Sequence, residues 1–182
     1  MDFKRLLIVL CCLALTVTLT ACQSQPAAQL GKPILADFAA QDLSGNIVDQ
    51  SILSGCKLTM VNVWATFCSP CIGEMPDLAL LNQAYPGEFQ VIGIVLDAAD
   101  KNAQVLPDKK AEALDIIDRT GANYRHLLPS ASLNKALLSG VQAIPETIFV
   151  DSAGRQVGPS YTGAKSHAQW KSIIEGLLKT VS

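Results

Sequence analysis

The chain has 182 residues, of which 49% are hydrophobic and 16% charged. That length supports one domain with its own core, and the composition excludes a disordered chain. A net charge of −2 with no local Lys/Arg cluster excludes a nucleic-acid footprint. In chain order, Lys4 and Arg5 precede an apolar run from Leu6 to Leu19 broken only by threonines. A basic start followed by an apolar block is the pattern of a signal peptide. A spanning helix needs about 20 predominantly apolar residues, and Gln23-Ser24-Gln25-Pro26 ends this run early. Residues 1–21 are therefore expected to be a leader. The polar, Pro/Ala-rich stretch through residue 32 is expected to be a tether. Residues 33–182 are expected to form a single folded domain.

Within that domain, Asp42-Leu43-Ser44-Gly45-Asn46 reads as a hairpin turn between short strands. Leu58 to Ala65 is a short, Val-rich apolar run suited to a buried central strand. Helical spacing follows from Ser69 to Ala84, closed by Pro86-Gly87, with Pro76 expected to kink it. Phe89 to Leu96 reads as a second buried strand. Asp108 to Thr120 reads as an amphipathic helix stopped at Gly121. A strand over Tyr124–Leu128, a short helix over Ser132–Leu138, a strand over Thr147–Val150 and a final helix over Ser166–Leu178 complete the order. Strands alternating with helices indicate an α/β sheet.

The chemistry concentrates in Cys68-Ser69-Pro70-Cys71, where the central strand ends and a helix begins. Cys68 falls at the N-cap and Cys71 at the third helical position. A Cys68 thiolate can then accept from the free N–H groups of the first turn, and the positive end of the helix dipole stabilises it. Cys-x-x-Cys thiols at helix starts titrate at about 3.5–7.5, against about 8.5 for a free thiol. Cys68 is therefore expected to be the exposed nucleophile, and Cys71, one turn inward, the resolving thiol. Pro70 in the first turn costs no intrahelical hydrogen bond. Two other uses of the pair stay open on spacing alone. Structural zinc needs four ligands, for which only Cys56, His126 and His167 remain, without ligand spacing. A static disulfide here would close almost no loop. Cys56 is expected to be a small buried or loop thiol, and both histidines structural or surface residues.

Two resemblances extend this reading. Leu19-Thr20-Ala21-Cys22 resembles the lipobox of bacterial lipoproteins, which implies cleavage before Cys22 and a lipid on its thiol. With more than one acyl chain such an anchor holds stably, placing the domain on the extracytoplasmic face of a bacterial membrane. Asn62, Trp64-Ala65-Thr66, Cys68, Pro70-Cys71, Glu74 and Pro76 resemble the motif N-x-W-A-T-W-C-x-P-C-x-x-E-x-P of the TlpA/ResA-like branch of the thioredoxin superfamily. Phe67 stands where that motif usually has a second Trp.

The resemblance implies a thioredoxin-like α/β/α sandwich with an N-terminal β-hairpin and a helical insertion. It implies thiol–disulfide exchange through Cys68 and Cys71, with no bound cofactor and no metal. Glu74, on the Cys71 face of its helix, is implied as an acid near the thiols, able to take the resolving thiol's proton. A solvated first-turn acid is the alternative. Val141-Gln142-Ala143-Ile144-Pro145-Glu146-Thr147 resembles the family's cis-proline loop, which would place Ile144 and Pro145 against a substrate peptide. Glu146 also occurs in cytochrome-c-maturation relatives. Trp64 is expected to pack beneath the site. With Pro70, Ile144, Pro145 and Glu146 it completes the set expected around a bound substrate. The implied partners are exported protein thiols and disulfides, a CcdA/DsbD-like membrane electron donor, and the membrane through the lipid. The family favours the reducing direction, as in cytochrome c assembly or supply of methionine sulfoxide reductases. A disulfide-inserting oxidase and a non-catalytic binding module are the alternatives. A peroxiredoxin would want Thr-x-x-Cys, which Thr66-Phe67-Cys68 does not match.

Overall fold

The computed structural model describes residues 31–181. The expected leader, the expected lipidation site Cys22 and most of the expected tether lie outside the described residues; the last two tether residues, Gly31 and Lys32, already pair with Gln156, so the folded domain starts earlier than residue 33. Asp42 builds the first hairpin. Its carboxylate accepts from the N–H groups of Ser44 and Asn46, closing the turn between β1 (Ala39–Gln41) and β2 (Ile47–Asp49). A 3-10 turn over Gln50–Leu53, which no sequence pattern marks, leads into the main sheet.

That sheet holds β3 (Leu58–Trp64), β4 (Phe89–Val95), β5 (Arg125–Leu127), β6 (Glu146–Asp151) and β7 (Tyr161–Thr162) in the order β5-β4-β3-β6-β7. β3, β4 and β5 are parallel, whereas β6 runs antiparallel to β3 and β7 antiparallel to β6. Helices α1 (Ser69–Ala84), α2 (Pro107–Thr120) and α3 (Ala131–Ala136) connect β3 to β6 in turn, and α4 (His167–Leu178) follows β7. The expected helical insertion after the second strand is α2. It brings β5 with it, widening the sheet by one strand.

The period-2 alternation of β3 divides the core. Leu58, Met60 and Trp64 join a layer with Met75 and Leu78 of α1, Ile116 of α2, and Trp170 and Ile174 of α4. Val61 and Val63 join the opposite layer with Phe38, Val48, Leu133 and Leu138. The result is the α/β/α sandwich of a thioredoxin-like fold. Local signals fix the helix ends. Gly121 takes the left-handed backbone (φ 66°) that stops α2, and Ser166 with Gln169 forms a capping box on α4. Helix α1 continues through Pro76, whose ring lies on the exposed face. The helix expected over Ser132–Leu138 is instead α3 followed by a separate 3-10 turn at Leu138–Gly140. Leu137, at φ −140° and ψ −53°, breaks the run. β7 was too short to leave a pattern.

Candidate active site

The turn that delivers Cys68 is closed by its own N–H donating to Ala65 O at 3.0 Å. Cys68 then stands at the N-cap of α1 with extended backbone, and Cys71 N–H points at Cys68 Sγ at 3.3 Å. The two cysteines are joined as a disulfide, with Cα atoms 5.3 Å apart. The expectation of an exposed nucleophile needs correction. Cys68 is only 6% exposed and Cys71 fully buried, while the neighbouring Phe67 is 71% exposed. The strand-to-helix turn aims Phe67 outward and tucks the first sulfur against the core.

The Ile144–Pro145 peptide bond is cis, as the resemblance implies. Pro145 is buried, and Ile144 is half-buried between both core layers. Pro145 O accepts from Gly163 N at 2.8 Å, and Glu146 accepts from Thr162 Oγ1 at 2.7 Å. The cis-proline loop is thus tied to β7. Pro70 is exposed beside the disulfide.

Beneath the pair, aligned residues form a row across all five strands: His126, Gly93, Asn62, Thr147 and Tyr161. Glu74 comes down onto this row from α1 and is 3% exposed, not the solvated acid of the alternative reading. Its carboxylate accepts from Asn62 Nδ2 (3.0 Å), Lys165 N (3.1 Å) and Trp170 Nε1 (2.9 Å). Burial pushes the Glu74 pKa above the usual carboxylate range, and these donors, with the Lys165 charge, offset part of that rise. Asn62 Nδ2 also donates to Thr147 Oγ1. Asn62 Oδ1 and the Tyr124 hydroxyl have no partner among the described residues.

Trp64 also needs correction. It is fully buried and therefore out of a substrate's reach. Its Nε1 donates to His126 Nδ1 at 3.1 Å, and His126 Nε2 donates to Ala122 O at 2.9 Å. Burial lowers the His126 pKa to about 4, so the ring is neutral and keeps this single tautomer. Gly93 makes the contact possible, because a Cβ there would collide with His126 Nδ1.

Sequence reasoning did not find Thr147, Lys165 or Trp170 around Glu74. One signal was available: Asn62 is the lone amide in an apolar strand, and a buried amide demands partners. Among the described residues no cluster of three or more metal-ligating side chains occurs, and both His126 nitrogens are engaged.

The chain matches the Redoxin family over residues 29–174. It is 26% identical over 139 residues to the thiol-disulfide oxidoreductase ResA of Halalkalibacterium halodurans, covering 76% of this chain and 72% of that protein. It is 32% identical over 151 residues to the thiol:disulfide interchange protein DsbE of Vibrio cholerae, covering 81% and 73%. In structure it is similar to the exposed lipoprotein thioredoxin of Streptococcus pneumoniae, with a TM-score of 0.60 at 23% identity, covering 78% of this chain and 99% of that one.

Proposed function

The chain belongs to the Redoxin family and is a thiol–disulfide oxidoreductase of the ResA/DsbE type, and from that premise we propose that it is a lipid-anchored, extracytoplasmic disulfide reductase. The Cys68 thiolate attacks one sulfur of a substrate disulfide, forming a mixed disulfide and expelling the other sulfur as a thiolate. Cys71, its proton taken up by Glu74, attacks Cys68 Sγ, which releases the second substrate sulfur as a thiolate. Two electrons pass to the substrate, and the Cys68–Cys71 disulfide is left. A membrane dithiol donor of the CcdA/DsbD kind returns two electrons to it by the same exchange in reverse. Exported thiols of cytochrome c maturation, or methionine sulfoxide reductases, are the substrates this reading favours.

One observation carries the reducing direction: the buried Glu74, one helical turn from the fully buried Cys71. Desolvation and a neighbouring acid both disfavour thiolates, which favours the disulfide and makes the dithiol a stronger reductant. The helix N-terminus at Cys68 works the other way, since it stabilises the thiolate. The oxidase reading rests on that feature. The exposed Pro70 and Phe67 beside Cys68, with Ile144 and Pro145 of the cis-proline loop, are the proposed substrate contacts.

The anchor is proposed from Leu19-Thr20-Ala21-Cys22. No helix among the described residues is long and apolar enough to cross a membrane. Fatty-acid labelling of cells expressing the full chain should tag the wild type and not Cys22→Ser. Labelling of both would remove the anchor from the reading. The reaction is tested by insulin reduction with the dithiol form of the full chain in detergent. A stoichiometric loss of insulin disulfide supports it, and an inert dithiol contradicts it.

A further inference from the structure

The turn entering the redox pair is held from outside. Thr66 occupies its second position, two residues before Cys68, and is buried. Its N–H donates to Asp97 Oδ1 at 3.0 Å and its hydroxyl to Asp97 Oδ2 at 2.7 Å. Asp97 lies just past the end of β4, where Leu96 N still pairs with Trp64 O at 2.7 Å. Lys109, in the first turn of α2, donates to Thr66 Oγ1 at 3.0 Å and stands 3.7 Å from Asp97 Oδ2. It also pairs with Glu112 at 2.8 Å. The inserted helix therefore reaches back to the active-site turn through one ammonium group.

We propose that Asp97 and Lys109 are a positioning pair: they clamp Thr66 and set the balance of charge beside the Cys68 thiol. The inference rests on Cys68 as the attacking thiol. Thr66 and Cys68 are two Cα steps apart, at most about 7.6 Å. The carboxylate gripping Thr66 is thus bonded to the same turn that carries the sulfur, and a fixed charge acts over a screening length of about 8 Å at physiological ionic strength. A lone carboxylate there disfavours a thiolate, and Lys109 offsets it. Other charged groups on the elements around this turn are Glu112 beside Lys109, the buried Glu74 on α1 with Lys165 against it, and Glu146 after the cis-proline. Asp97 and Lys109 bond Thr66 of the turn directly, and Glu112 also reaches that residue.

The two members of the pair should act with opposite sign, which a purely structural clamp would not do. The test follows the pH dependence of iodoacetamide alkylation of the reduced full chain in detergent, with Cys68 and Cys71 peptides resolved by mass. Lys109→Met should move the Cys68 midpoint up by about half a unit, roughly threefold in rate at a fixed lower pH. Lys109→Arg should restore it, and Asp97→Asn should move it down. Lys109 is half-exposed, so its variants keep the test available if Asp97→Asn fails to fold. Preferential alkylation of Cys71 would overturn the assignment of the attacking thiol, and the pair's role with it. Alkylation at Cys68 with unmoved Lys109→Met midpoints, or with both charge variants shifting the same way, would overturn the inference alone.

Discussion

Strand β3 has a cysteine near each end, Cys56 two residues before it and Cys68 four residues after it. Cys56 is the more exposed of the two, yet it stands in a turn with no helix to cap. It lines a cavity of about 430 Å³ with Lys57, Asp151 and Arg155. Both cations there are already paired, Lys57 with Glu88 and Arg155 with Asp151. Partial burial without a compensating donor pushes the Cys56 thiol pKa up. Cys68 is nearly covered, but a backbone N–H points at its sulfur and a second cysteine sits one turn away. Exposure is therefore a poor guide to thiol chemistry, and backbone donors and a helix start are a better one.

The largest expected effect comes from Cys68→Ser, which should abolish disulfide reduction while Cys56 stays intact. Insulin turbidity reads this directly, and retained activity would break the comparison. Next in size is a pair of glycines. Gly93→Ala drives a methyl into His126 under the redox end and should cost about 1–3 kcal/mol in denaturant unfolding. A Cβ at Gly55, beside Cys56, meets nothing within 4 Å, so Gly55→Ala should stay within about 0.5 kcal/mol. Equal costs would mean the two ends do not differ in packing.

Glu74→Gln sharpens the comparison through pH. The folded pKa of Glu74 is raised, chiefly by burial. Its contribution to stability is thus fully present below the unfolded value of about 4.3 and lost as pH rises through the folded one. Stability of the Gln variant relative to wild type should therefore improve from acid toward neutral pH, measured by urea midpoints. A pH-independent difference would contradict the buried acid. The smallest effect is Cys56→Ser, which should leave insulin reduction unchanged, and a clear loss there would give the second thiol a redox role.

Much of this was legible in the sequence because it is local. The N-cap at Cys68, the limits of α1 and the glycine stop of α2 depend on neighbouring residues, and each stands where the pattern puts it. The resemblance supplied what local patterns do not, the cis bond before Pro145. What escaped is long-range. Trp170 lies 96 residues from the Glu74 it bonds, and Lys109 lies 43 from Thr66. Trp64 fails as a substrate contact because its indole is spent on His126, a pairing set by strand register and by the missing side chain of Gly93. The near-complete burial of Cys68 depends on how the turn packs, which composition does not encode.

The reduction potential of the Cys68–Cys71 pair in the full chain, equilibrated with graded dithiol buffers, tests the central claim most directly. The account predicts a value near or below about −270 mV, that of a dedicated reductant, while a value near −120 mV would mean a disulfide-inserting oxidant and contradict it.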